Sequence, residues 1–249
     1  MMLRNNLFMS AIILALTVTP HLANIHSANA WDSKKNNPTH PTHSYLTEWG
    51  IDQLKSQYPE LQQYRDQILA GANSELHELQ VSGTAYGIDL EAKRIQHQGS
   101  NWGCEDIQGW WQDSLTAYKQ GNKDQAYFYL GVILHMVEDM GVPAHANHVV
   151  HQGNLKEFDN FEFMALSNWK PNFDDVNRQD PGFADPSQYY AFSQDWTYAD
   201  APNYNNRNSF SKTWTFAKKS ERQLLSNRQG RTSNIVKWAL NSAMLAFKK

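Results

Sequence analysis

The chain has almost no cysteine: of 249 residues only Cys104 carries a thiol. An internal disulfide is therefore excluded, and stability has to come from an apolar core or from bound metal. A surplus of positive charge is also missing. With 22 Lys and Arg against 25 Asp and Glu the formal net charge is -3, which argues against a general electrostatic nucleic-acid binder. There is no internal repeat and no low-complexity tract, and no segment beyond residue 30 is apolar for long enough to span a bilayer. Histidine is absent from the whole C-terminal part, none occurring after His151.

A hydrophobic content of 41% over this length suits one core and one domain. Nine Trp, eleven Tyr and eleven Phe fit either a helical core or a cleft lined with aromatic faces. Residues 1–30 read as a secretory signal peptide. Arg4 is their only charge, residues 7–18 are apolar, and Ala28-Asn29-Ala30 is a small-x-small cleavage site. Export to a periplasm or to the medium is expected, with a mature chain of residues 31–249 that begins at Trp31.

The coarse pattern predicts an all-α, single multi-helix domain. A polar, proline-bearing lead enters a helix that Thr42 or Ser44 could cap, with His43 in or beside its first turn. Residues 60–80 have helix-forming composition interrupted at Gly71-Ala72, and residues 81–103 read as a loop holding His97. Helix is expected again from about 105 to 119, with a break at Gly121-Asn122. Residues 168–208, rich in Pro, Asn, Asp and aromatics, read as an irregular surface segment. Residues 209–249 return to helical periodicity, split near Gly230.

The most informative stretch is 127–151, YFYLGVILHMVEDMGVPAHANHVVH. Its first part is too long for a strand and has no turn residues, which predicts a buried helix. His135 and Asp139 are four apart and share one face of it, and Gly141 and Pro143 close it. His145, His148 and His151 follow the break. An imidazole and a carboxylate buried together are costly unless compensated, and a divalent metal takes both as ligands. Eight histidines lie beyond the signal peptide, at 40, 43, 77, 97, 135, 145, 148 and 151, which is more than one tetrahedral zinc requires. A cluster of ions suits phosphate-ester hydrolysis, since clustered metals can activate water, offset phosphate charge and stabilise the leaving oxygen.

The run QAYFYLG followed by HMVEDMGVPAHA, together with Trp directly after the cleavage site, resembles the bacterial zinc-dependent phospholipases C. Their fold is similar to that of the secreted zinc-dependent single-strand nucleases. The resemblance implies two or three zinc ions. Trp31, through its α-amino group and carbonyl, would join His43 and Asp139 at one ion. Asp139 would bridge to a second, served by His97, His135 and a carboxylate after Gly71. That carboxylate is expected to be Glu75, which would also be the general base. His145 would begin a third position, with His151 and either Glu162 or Asp159 completing it. Two departures from the family pattern stand out. Leu76 occupies the place of an expected Asp, and Leu155 that of an expected His if Asp159 is the last acid.

The resemblance further implies cleavage of phosphatidylcholine-like lipids at a membrane surface, by a monomer and without a nucleic-acid partner. The rivals are a single-strand nuclease on the same scaffold and a degenerate homologue that binds zinc or lipid without turnover. His40, His77 and Cys104 are expected to have no role. Trp110-Trp111 and the aromatics of 189–204 could line a lipid-entry face, although packing is the commoner use of such clusters.

Overall fold

The computed structural model describes residues 42–74, 84–85, 88–89, 102–147, 160–166, 168–204, 210–211 and 213–249. The predicted signal peptide, Trp31 and His40 lie outside the described residues. In chain order the elements are α1 (Thr42–Leu54), α2 (Pro59–Gln63), α3 (Arg65–Ala72), β1 (Thr84–Ala85), β2 (Ile88–Asp89), α4 (Trp102–Lys119) and α5 (Lys123–Asp139), then α6 (Pro143–Ala146), α7 (Asn160–Leu166), a single 3-10 turn (Pro186–Gln188), α8 (Tyr189–Asp200) and α9 (Lys219–Phe247). The two short strands pair antiparallel, Thr84 opposite Asp89 and Ala85 opposite Ile88. Otherwise the described chain is helices packed on helices, as the sequence pattern predicts. No helix among the described residues is long and apolar enough to cross a membrane.

Helix α5 is the axis of the assembly. Every residue at positions 126–139 is buried, so the helix presents no polar stripe and is enclosed on all sides. It packs on α3 and α4 most extensively, and α9, α8 and α1 complete its surroundings. Truncating a core side chain such as Leu134 to Ala would cost about 2–5 kcal/mol.

The helices α3 and α5 touch backbone to backbone. A Cβ on Gly71 would collide with the carbonyl of Phe128 and lie 2.8 Å from Val132 N. One on Gly131 would collide with the Ile68 carbonyl and lie 2.9 Å from Ala72 N. Helix α3 ends at Gly71-Ala72, where the sequence reading places an interruption. They are the last two residues of α3, which Asn73 caps, and the glycine also serves helix crossing.

The expected break at Gly121-Asn122 is present. Gly121 takes φ 79°, while Gly121 N donates to Tyr118 O and Asn122 N to Ala117 O. These are the two bonds of a Schellman stop, whose left-handed position suits glycine.

Two expectations need correction. Within the 168–208 segment, residues 189–200 form α8. Tyr189, Tyr190, Ser193, Trp196 and Thr197 make its buried face, an i, i+4, i+7, i+8 pattern masked in the sequence by its polar and aromatic composition. Helix α9 is not split at Gly230, since it runs unbroken through 29 residues. A Cβ there would collide with the carbonyl of Asn172, whose N–H donates to Ser226 O at 2.8 Å. Gly230 is the place where the 168–176 strap lies against the helix. Trp110 and Trp111 are core residues and do not line an entry face; Tyr189, Tyr190 and Trp196 are likewise buried, whereas Tyr198 is exposed.

Candidate metal centre

Helix α1 brings His43 in its first turn against the C-terminal end of α5, which carries His135, Glu138 and Asp139. The side chains of His43, Glu138 and Asp139 are fully buried and that of His135 is 1% exposed. Four ionisable groups in such a site require mutual compensation.

The hydrogen bonds orient both imidazoles in the same sense. His135 Nδ1 lies 2.9 Å from the carbonyl of Ala72. A carbonyl can only accept, so Nδ1 carries the proton and Nε2 presents its lone pair. His43 Nδ1 lies 2.5 Å from Glu138 Oε2, and the other carboxylate oxygen accepts from Thr47 Oγ1 at 2.6 Å. Burial pushes the Glu138 carboxyl above its ordinary range, against the lowering effect of the bonds from His43 and Thr47. An imidazole whose Nδ1–H is held by a carboxylate or a carbonyl is the usual outer arrangement of a metal-ligating histidine.

The two Nε2 atoms face Asp139. His43 Nε2 is 3.4 Å from Oδ1 and His135 Nε2 is 3.4 Å from Oδ2. Charge-assisted N–H···O bonds are shorter, roughly 2.7–2.9 Å. Two ligands held about 2.0 Å from a tetrahedral zinc stand about 3.3 Å apart. The rings themselves are stacked, centroids 4.3 Å apart and planes 19° from parallel, and two imidazolium charges at that distance would repel. The chemistry of the donor set thus fits a divalent cation of the zinc class. One ligand atom each from His43, His135 and Asp139 lies within 4.8 Å of the others, so the cluster could hold a metal ion. Each oxygen of Asp139 faces a different imidazole, an arrangement that also suits a carboxylate shared by two ions.

A second pair lies past the end of α5. There the chain turns at 140–142 and starts α6 with Pro143, whose fixed φ and missing N–H suit a first helical position. Thr197 Oγ1 of α8 donates to Met140 O at 2.6 Å, and Arg228 Nε of α9 donates to Gly141 O at 3.2 Å. A Cβ on Gly141 would collide with Thr232, so glycine lets this turn sit on α9. The turn presents His145, which is buried, with Nε2 3.5 Å from Oε1 of Glu162 on α7.

Of the residues expected at metals, the structure brings together His43, His135 and Asp139, and separately His145 and Glu162. Trp31, Glu75, His97 and His151 lie outside the described residues, as do Leu76, His77, His148, Leu155, Asp159 and the side chain of Cys104. The sequence reading missed Glu138, Thr47 and the Ala72 carbonyl. A signal was present: Glu138 sits beside the singled-out Asp139, and Thr47 is one turn after His43 on the same face of α1. No known family model matches the chain, and no curated protein matches it either. What the cluster can do follows from its donor atoms.

Proposed function

We propose that this protein is a secreted zinc-dependent phosphodiesterase of the phospholipase C type. It would cleave phosphatidylcholine-like lipids to diacylglycerol and a phosphorylated head group. The observation that carries the reading is the buried pair of imidazoles with anchored Nδ1 atoms, their Nε2 atoms 3.4 Å from separate oxygens of Asp139. It agrees residue by residue with the motif resemblance at His43, His135 and Asp139, and the His145–Glu162 pair agrees with the third position.

On this reading His43, Trp31 and Asp139 hold one zinc. His135, His97 and Glu75 hold a second with Asp139 shared, and His145, Glu162 and His151 form the third position. When bound, zinc supplies charge neutralisation at the phosphate oxygens and a more acidic water. The protein's own contributions are distinct. Ala72 O and Glu138 keep both rings in one tautomer and orientation, Glu138 retaining the proton at His43 Nδ1. Thr47 fixes the Glu138 carboxylate. The apolar walls of α5 exclude bulk water and so strengthen every charge interaction in the site. The Glu75 carboxylate takes the proton from the water that attacks phosphorus. As the bond from phosphorus to the glycerol oxygen breaks, that oxygen leaves in line with the attack and takes up a proton from solvent to give diacylglycerol, Glu75 returning its own proton to solvent.

The test is zinc content and phosphatidylcholine hydrolysis of protein beginning at Trp31, beside protein carrying one extra N-terminal residue. The expected result is two or three zincs and turnover in the first, with one zinc fewer and a large loss of rate in the second. Hydrolysis of single-stranded DNA but not of phosphatidylcholine would move the activity to the nucleases. Zinc without hydrolysis of any phosphoester would make the protein a binding homologue.

A further inference from the structure

The loop leading into α9 ends in the most exposed large apolar side chain among the described residues, Phe216, at 82% exposure. Exposed Thr213, Thr215, Lys218, Lys219 and Ser220 surround it in sequence. Trp214 is half-buried, and its ring is covered by two cations: Lys170 Nζ lies 4.9 Å from the centroid and Arg222 Cζ 5.9 Å. The acid in this stretch, Glu221, is buried and occupied by backbone, accepting from Lys218 N at 2.9 Å and Ser211 N at 3.3 Å. The local surface is thus an apolar tip on a base of Lys170, Lys218, Lys219 and Arg222, in a chain whose net charge is -3.

We propose that the 213–222 segment docks the protein on anionic phospholipid bilayers. Phe216 enters the interface, and Lys170, Lys218, Lys219 and Arg222 meet the head groups. This deepens the phospholipase reading and rests on it for its purpose, although the contact with lipid is measurable without turnover. Three observations favour a bilayer. The side chain that projects is a phenylalanine, with no polar handle to satisfy. The positive charge is concentrated at its base against the sign of the whole chain, which suits an anionic surface. The chain just before the segment reaches the candidate site: Asn160 Nδ2 donates to Phe210 O at 2.6 Å, and Phe161 packs edge-on to Phe210 with centroids 6.0 Å apart. Both residues belong to α7, next to Glu162. A single-stranded nucleic acid would instead need successive open ring faces to stack on, and this segment offers Phe216 alone, the Trp214 ring being covered by cations.

The experiment is co-sedimentation of the full-length gene product, as secreted, with vesicles of phosphatidylcholine alone or mixed with phosphatidylglycerol. The variants are Phe216→Ser and the double change Lys218→Glu, Lys219→Glu. Wild type is expected to bind the mixed vesicles and to lose binding as salt rises from about 0.1 M to 1 M, where the Debye length falls from about 10 Å to about 3 Å. Phe216→Ser should weaken binding by about tenfold, and the double variant by at least tenfold. Both should hydrolyse a dispersed short-chain phosphatidylcholine at the wild-type rate. Absence of vesicle binding in wild type, or equal binding by all three proteins, overturns the proposal. So does a defect confined to capture of a labelled oligonucleotide, or to self-association. If vesicle binding depends on these residues but no lipid is hydrolysed, the docking surface stands and the phospholipase reading falls.

Discussion

Two charged clusters lie against the C-terminal end of α5 and its following turn, and they are built to different specifications. In one, Arg228 and Arg231 of α9 share Asp200. Arg228 Nη1 sits 2.7 Å from Oδ2, Arg231 pairs with Oδ1, and Arg231 Nη2 reaches Asp175 at 2.9 Å. Asp175 also accepts from Asn227 at 2.6 Å, and the Arg228 and Arg231 guanidiniums lie 6.0 Å and 5.6 Å from the Trp196 ring. Cation and anion meet directly at hydrogen-bond distance. Burial lowers the Arg228 guanidinium to about 10, with Asp200 opposing that shift. In the other cluster the imidazoles and Asp139 stand 3.4 Å apart, the distance between ligands rather than between bonded partners. A closed ion-pair network serves structure, whereas a donor set spaced around a point is sized for a cation.

The largest break in this comparison should come at its centre. Asp139→Asn is expected to lose most bound zinc and to fold poorly, and EDTA should lower the wild-type Tm by about 10 °C or more. Metal analysis and thermal unfolding with and without chelator measure both effects. Full zinc content in the mutant would sink the assignment. Arg228→Met should cost about 3–5 kcal/mol, because Asp200 and the Gly141 carbonyl lose a buried partner, yet it should keep the wild-type number of zincs. Loss of zinc in parallel with stability would show that the two clusters are one unit.

Gly131→Ala sharpens the contrast from the packing side. A methyl group there pushes α3 away from α5, costing about 1–3 kcal/mol, and displaces the Ala72 carbonyl that holds His135. The expected outcome is weaker zinc retention in a competition with a chromogenic chelator, although no ligand has changed. Unaltered retention would separate helix crossing from metal binding.

The smallest effect concerns Glu60, far from either cluster. Its partial burial would raise the carboxyl, but bonds from Tyr127 and Tyr118 and the Lys123 ammonium hold it below the ordinary 4.5. The folded value being depressed, its stabilisation is present above about pH 4.5 and is lost as pH falls through the folded value. Glu60→Gln should therefore lower Tm slightly near neutrality and flatten its decline below pH 4.5. An unchanged acid limb would remove Glu60 from the account. Tyr118, pushed up to about 12 by burial and by Glu60, stays a donor throughout that range.

Much of the architecture was legible in the residues alone. A helix without a polar face has to be central, so the place of α5 followed from its composition. The period of 3.6 put His135 and Asp139 on one face, and Gly121 and Pro143 marked the ends of elements. Gly230 looks in sequence like a break and was misread, and Gly71, which does stand at a helix end, hid its role in packing. Only the partner backbones at Gly131 and Asn172 show them as packing sites. Helix α8 was hidden for a related reason, its aromatic residues reading as loop until their burial exposes the helical period.

Local spacing decides which side chains share a helix face, since four residues make about one turn whatever the rest of the chain does. By itself the sequence therefore determined the all-α class, the central helix and the pairing of His135 with Asp139 in a stretch that also holds His145, while His43 and Glu162 were nominated only through the family resemblance. Nothing local determines which face of α1 meets the end of α5, or which oxygen of Asp139 meets which imidazole. The contacts of α1 with Glu138 join residues 91 and 95 positions apart, and they exist only because core packing fixes the approach of the helices. Tertiary structure alone brought Glu138, Thr47 and the Ala72 carbonyl behind the two rings. That outer layer, holding both protons at Nδ1, turns two nearby histidines into donors aimed at the two oxygens of Asp139.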